Sequence, residues 1–191
     1  MHLVGRLHTA CHPGSGRLLI MSFFIRKISR AKWETEGRFA SGQIPADAVT
    51  ADLRTRNNSM SLWHIDKPSN DNELCDIALA FVAAADRIET MDLAWVDKEF
   101  FESNRIIIES SDGRTPVVSL RQYHADAINV DLTRLSAVAT GIAAAIKINQ
   151  YKRFTKRELK KIIVDAIDKE LISIDVLNQK VKEEIRKQIH G

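Results

Sequence analysis

The stretch from Ser59 to Glu99 constrains this chain most, because it sets two apolar extended runs on either side of a helix-length amphipathic segment. In Ser61-Leu62-Trp63-His64-Ile65-Asp66, strand geometry puts Leu62, His64 and Asp66 on one face and Trp63 and Ile65 on the other. From about Asn72 to Arg87, Leu74, Ile77, Ala78, Phe81, Val82 and Ala85, continued by Ile88, recur at three- and four-residue steps and form one wide helical stripe. Met91-Asp92-Leu93-Ala94-Trp95-Val96 then reads as a second strand. A strand, a helix and a strand of this length suit a right-handed crossover between parallel strands.

Ligands of open parallel sheets sit beyond the carboxyl ends of the strands. Here those ends carry Asp66-Lys67-Pro68-Ser69-Asn70 and Asp97-Lys98-Glu99. Helix capping is the competing use of the same residues: Asn70 or Asp71 suits an N-cap, and Glu73 suits the far half of a capping box.

The 191 residues, 45% hydrophobic and 28% charged, suit one domain, or one domain with a helical appendage, and an ordinary core. The formal charge of +3 selects no partner class. Two cysteines, Cys11 and Cys75, make no disulfide framework, which points to reduced thiols and a cytoplasmic setting. No apolar run approaches the roughly 18 residues of a membrane span.

Residues 1–20 show no period, and the first strand, Met21–Ile28, begins at a methionine. Met21 is therefore the expected natural start, with the preceding segment an over-extended frame or a disordered tail. Trp33, set among Arg26, Lys27, Arg30, Lys32 and Arg38, could stack a nucleic-acid base or cap the core. A helix opening near Pro45 should end at Asn57-Asn58, since Asn tolerates a left-handed cap. Arg105–Ser110 and Thr115–Leu120 flank Ser111-Asp112-Gly113-Arg114, which reads as a β-hairpin. Val130 to Ile148 is the helix candidate expected to be most buried. Its small-residue row Ala137, Gly141 and Ala145 suits close packing on the sheet, with a homodimer seam as the other use. After Gln150 the chain reads as a separate C-terminal arm. One helix opens on a Thr155/Glu158 capping box and ends near Ile172, and a narrow-striped second helix spans Ser173 to Ile189.

Charge is segregated along the chain. Seven cations face Glu158 alone between Lys147 and Lys161, and twelve acids face four bases between Asp66 and Asp112. Lys152, Arg153, Lys156, Arg157, Lys160 and Lys161, with Phe154 interleaved, suit phosphate neutralisation and base stacking. The chemical alternative rests on two His-x-Asp pairs, His64/Asp66 and His124/Asp126. Together they would suit a divalent metal that activates water for phosphoester cleavage. Without metal, His64 would be a general base oriented by Asp66 or Asp97. Phosphate-binding glycine loops, dinucleotide fingerprints, nucleophile elbows and paired-cysteine zinc patterns are absent from the sequence.

The expected architecture is α/β or α+β. It has a mixed sheet of about five strands (Met21–Ile28, Met60–Asp66, Met91–Val96, Arg105–Ser110 and Thr115–Leu120), a core spanning about 21–150, and a two-helix arm over 151–191. The expected function is that of a non-catalytic, regulatory interaction protein. Its basic linker and arm would bind a protein or nucleic acid, with a homodimer as one option and no membrane contact. A metal-dependent phosphoester hydrolase is the competing function.

Overall fold

The computed structural model describes residues 22–34 and 43–189. The proposed start at Met21 and the reading of residues 1–20 lie outside them. In chain order the elements are β1 (Phe23–Ile28), α1 (Arg30–Trp33), α2 (Ala46–Asp52), β2 (Met60–Ile65), α3 (Asp71–Ala83), β3 (Met91–Asp97), α4 (Lys98–Ser103), β4 (Ile107–Ser110), β5 (His124–Ile128), α5 (Leu132–Lys147), β6 (Tyr151–Phe154), α6 (Lys156–Asp168) and α7 (Gln179–Ile189). Two 3-10 turns, Val118–Tyr123 and Ile174–Val176, complete the list. The mixed α/β content is as expected, but the sheet differs in detail. It has six strands in the order β4-β5-β2-β1-β3-β6, and every hydrogen-bonded neighbour runs antiparallel.

The expected β-α-β unit exists in altered form. β2 and β3 each pair antiparallel with β1, so they run parallel to each other with β1 between them. β1 is apolar and buried at four of its six positions, Phe23, Phe24, Ile25 and Ile28, which fits a strand with neighbours on both sides and helices above and below. Alternate residues divide the core in two. Phe23, Ile25, Trp63, Ile65 and Leu93 face α3, α6 and α7. Phe24, Leu62, Ala94, Val96 and Ala127 face α2, α4 and α5.

The second half of the expected hairpin is not a strand. β4 pairs instead with β5, which the sequence reading left out. Pro116 lacks the N–H that a ladder needs, and the buried Val117 and Leu120 recur at the three-residue spacing of a 3-10 turn. Gly113 does not serve a positive φ either. A Cβ there would lie 2.8 Å from the Trp63 ring and 3.0 Å from His124 Cβ, so glycine lets the loop sit directly on both side chains. Positive φ falls instead on Asn57 (53°) and Asn58 (57°). They form a tight turn closed by reciprocal Arg56–Ser59 backbone bonds, and α2 ends earlier, at Asp52.

In α5 the small row packs within the chain: a Cβ on Gly141 would meet the Phe100 ring at 2.7 Å. The C-terminal helices bury their stripes on the α3 side of the sheet, where Leu159, Ile163, Val181 and Ile185 are each fully buried and share a cluster with Leu74 and Ile77. Both halves of the Thr155/Glu158 capping box form. The last helix starts at Gln179 rather than near Ser173, because Ser173 accepts from the Asp175 N–H and opens a 3-10 turn. No helix among the described residues is long and apolar enough to cross a membrane.

Candidate functional site

Strand register decides the fate of the two His-x-Asp pairs. His64 lies opposite Phe24, and their rings are 5.7 Å apart. His124 lies opposite Trp63, with rings 5.3 Å apart. Paired residues share a face and successive residues alternate, so His64 and His124 point to opposite sides of the sheet. One metal cannot take both. Among the described residues, no group of three or more His, Cys, Asp or Glu side chains is placed to hold a metal ion.

The carboxyl-end loops perform capping. The Asp97 carboxylate accepts from the Phe100 N–H at 3.0 Å and starts α4. Glu73 accepts from the N–H groups of Asp66 and Lys67, and Asn70 accepts from that of Asn72. His64 Nε2 lies 3.5 Å from Asp66 at the edge of a cavity of only about 120 Å³.

All but Arg157 of the residues of the expected nucleic-acid footprint are engaged within the fold. Trp33 is buried and its indole N–H donates to Asp52 at 2.8 Å. Phe154 is buried, with the Lys152 ammonium 5.1 Å from its ring centroid. Lys152 donates to Asp71 at 2.8 Å. Arg153 grips the buried Asp92 with two bonds of 2.8 and 3.1 Å, which holds its guanidinium pKa up. Lys156 and Lys160 converge on Glu184, whose carboxyl is held below its usual range first by the Lys156 bond. Lys161 lies 3.8 Å from Asp165. Arg157 is exposed, and no side-chain partner is seen for it among the described residues. The expected basic linker is in fact largely the edge strand β6, and lysine and arginine on an edge discourage further strand pairing.

The second pair, His124/Asp126, sits in different surroundings. β5 brings His124 and Asp126 to the α3 side of the sheet, beside Trp63 and Ser61 of β2. The loop after β4 adds Ser111, held by its N–H on the His124 carbonyl at 3.2 Å. The Ser111 hydroxyl lies 2.6 Å from Asp126 Oδ2 and 2.8 Å from His124 Nδ1. An ionised carboxylate only accepts, so the serine proton goes to Asp126, and Ser111 Oγ accepts from the imidazole Nδ1–H. That arrangement leaves Nε2 as the ring's remaining acceptor. Burial pushes the His124 pKa down, opposed by Asp126 and the Ser111 contact. Burial thus favours the neutral ring over the charged one. Ser111 thus bridges Asp126 and His124 and positions the imidazole.

His124 and Asp126, with Asp112, line a cleft of about 640 Å³. Trp63 and Phe81, with rings 5.6 Å apart, form its aromatic wall. Arg56 comes from the Asn57-Asn58 turn and Arg114 from the loop that Gly113 seats. Both are exposed, and among the described residues neither side chain has a hydrogen-bond or ion-pair partner. Arg56, Ser111 and Arg114 are the site residues that the sequence reading missed. The signal was the serine before Asp112-Gly113, but its meaning depended on β4 pairing with β5. No protein-family model, curated protein or solved structure matches this chain.

Proposed function

We propose that the protein is a non-catalytic interaction protein whose recognition surface is the Trp63–His124 cleft. An anionic group of the ligand sits between Arg56 and Arg114, with His124 Nε2 and the Ser59 and Ser61 hydroxyls as further polar contacts. One observation carries this reading: Arg56 and Arg114, without side-chain partners among the described residues, line the same cleft as the Ser111-held His124, where the Asp126 carboxylate is already engaged by Ser111 and Asp112 is the remaining acid. The basic linker offers less, because most of its cations already meet carboxylates. A cytoplasmic setting accords with Cys75 being a free thiol.

Titration with inorganic phosphate, followed by tryptophan fluorescence, tests the reading because Trp63 lines the cleft. Saturable binding is expected, falling about tenfold for Arg56→Gln and again for Arg114→Gln, as loss of a charge-assisted hydrogen bond requires. A response that is absent, or that both substitutions leave unchanged, would overturn the proposal.

A further inference from the structure

The cleft does not end at Arg114. A second cavity, of about 700 Å³, lies on the far side of the Asp112–Pro116 loop and shares Ala84, Asp112 and Arg114 with the first. Its character is different. Alanines at the end of α3 keep the floor low, and Pro116, Val176 and Leu177 supply an apolar part of the wall alongside the polar Asp112, Thr115 and Asn178. Val176 is 55% exposed, a branched apolar side chain left uncovered at the rim. Of the two arginines that line this side, Arg121 already donates its Nε–H to the Thr115 carbonyl at 2.9 Å. The carboxyl end of α3, a helix of 13 residues, also opens here and carries partial negative charge.

Resting on the proposed function, we infer that the ligand is an extended peptide segment in which an acidic residue is followed by apolar ones. The carboxylate enters between Arg56 and Arg114, and the apolar side chains cross the Arg114 rim to lie against Pro116 and Val176. A single-stranded nucleic acid fits less well. Its next phosphate would fall on an apolar surface beside the negative end of a helix. A small anion would leave the second cavity uncovered.

Fluorescence anisotropy on the full chain tests this with a labelled eight-residue peptide carrying one glutamate followed by leucine and valine. Saturable binding is expected, competed by inorganic phosphate and weakened about tenfold when the glutamate becomes glutamine. Replacing the leucine and valine by serine should weaken it at least as much. Val176→Asp should weaken the parent peptide while circular dichroism shows the fold intact. Phosphate binding with no gain from the apolar residues would overturn this inference and leave the cleft reading standing. Tighter binding of an eight-nucleotide oligothymidylate would overturn it in favour of nucleic acid. Failure of both phosphate and peptide would remove both proposals together.

Discussion

Replacing Asp52 by alanine should unfasten α1 from the rest of the fold. α1 is one turn of four residues, and its Ser29 N-cap makes no side-chain capping bond. It stays in place because Asp52, at the end of α2, accepts from the Ser29 N–H at 2.7 Å, the Ser29 hydroxyl at 3.2 Å and the Trp33 indole at 2.8 Å. Trp33 is only 7% exposed, so its orphaned N–H would cost about 1–3 kcal/mol. The half-wet Ser29 contacts add about 1 kcal/mol. Arg26 keeps its bond to the Asp52 carbonyl at 2.7 Å but loses the nearby carboxylate that opposes the burial-driven lowering of its pKa. The sum is about 2–4 kcal/mol. With a urea slope of about 2 kcal/mol per molar, the unfolding midpoint should fall by about 1–2 M. Asp52→Asn keeps an oxygen for the indole and should cost about half as much. Equilibrium urea unfolding followed by far-UV circular dichroism measures both. A midpoint shift below about 0.25 M for the alanine variant, or equal shifts for the two variants, would refute an anchor centred on the indole.

Three further outcomes follow from the same structure. Gly113→Ala should destabilise the fold by about 1–3 kcal/mol and perturb the near-UV signal of Trp63, because the new methyl overlaps that ring; thermal unfolding with near-UV circular dichroism reads both. His124, with a folded pKa below its ordinary value of 6.5, should make stability fall as pH drops below about 6.5, since the unfolded chain takes up a proton that the folded chain resists. The slope should not exceed about 1.4 kcal/mol per pH unit for this group, and denaturant midpoints should show it shrinking in His124→Gln. The Cys75 thiol, pushed up chiefly by burial, should react slowly with a disulfide reagent at pH 7 and quickly in denaturant, as timed by absorbance.

Elements whose burial pattern is local were legible in the sequence. The stripe of α3, the apolar alternation of β2 and β3, and the Thr155 capping box each depend on residues a few positions apart. β5 and β6 were not legible, because His-Ala-Asp-Ala-Ile and Tyr-Lys-Arg-Phe carry too little β-forming apolar character to stand out. They are strands because β2 and β3 offer them edges. The site was half visible for the same reason. The sequence marks His124 and Asp126 as neighbours on a strand, but Ser111 reaches them only through the β4–β5 pairing, and Arg56 only through the turn that opens β2. His64 looked equivalent to His124, yet a strand register that sets it opposite Phe24 sends it to the other face.

The anion site proposed for the His124 cleft can be read from the imidazole itself. Heteronuclear NMR of the His124 ring nitrogens at pH 7 should show a neutral ring protonated at Nδ1, with Nε2 shifting saturably as phosphate is added. The shift should be lost in the Arg56→Gln/Arg114→Gln double variant. A ring protonated at Nε2, or an Nε2 signal indifferent to phosphate, would contradict the account.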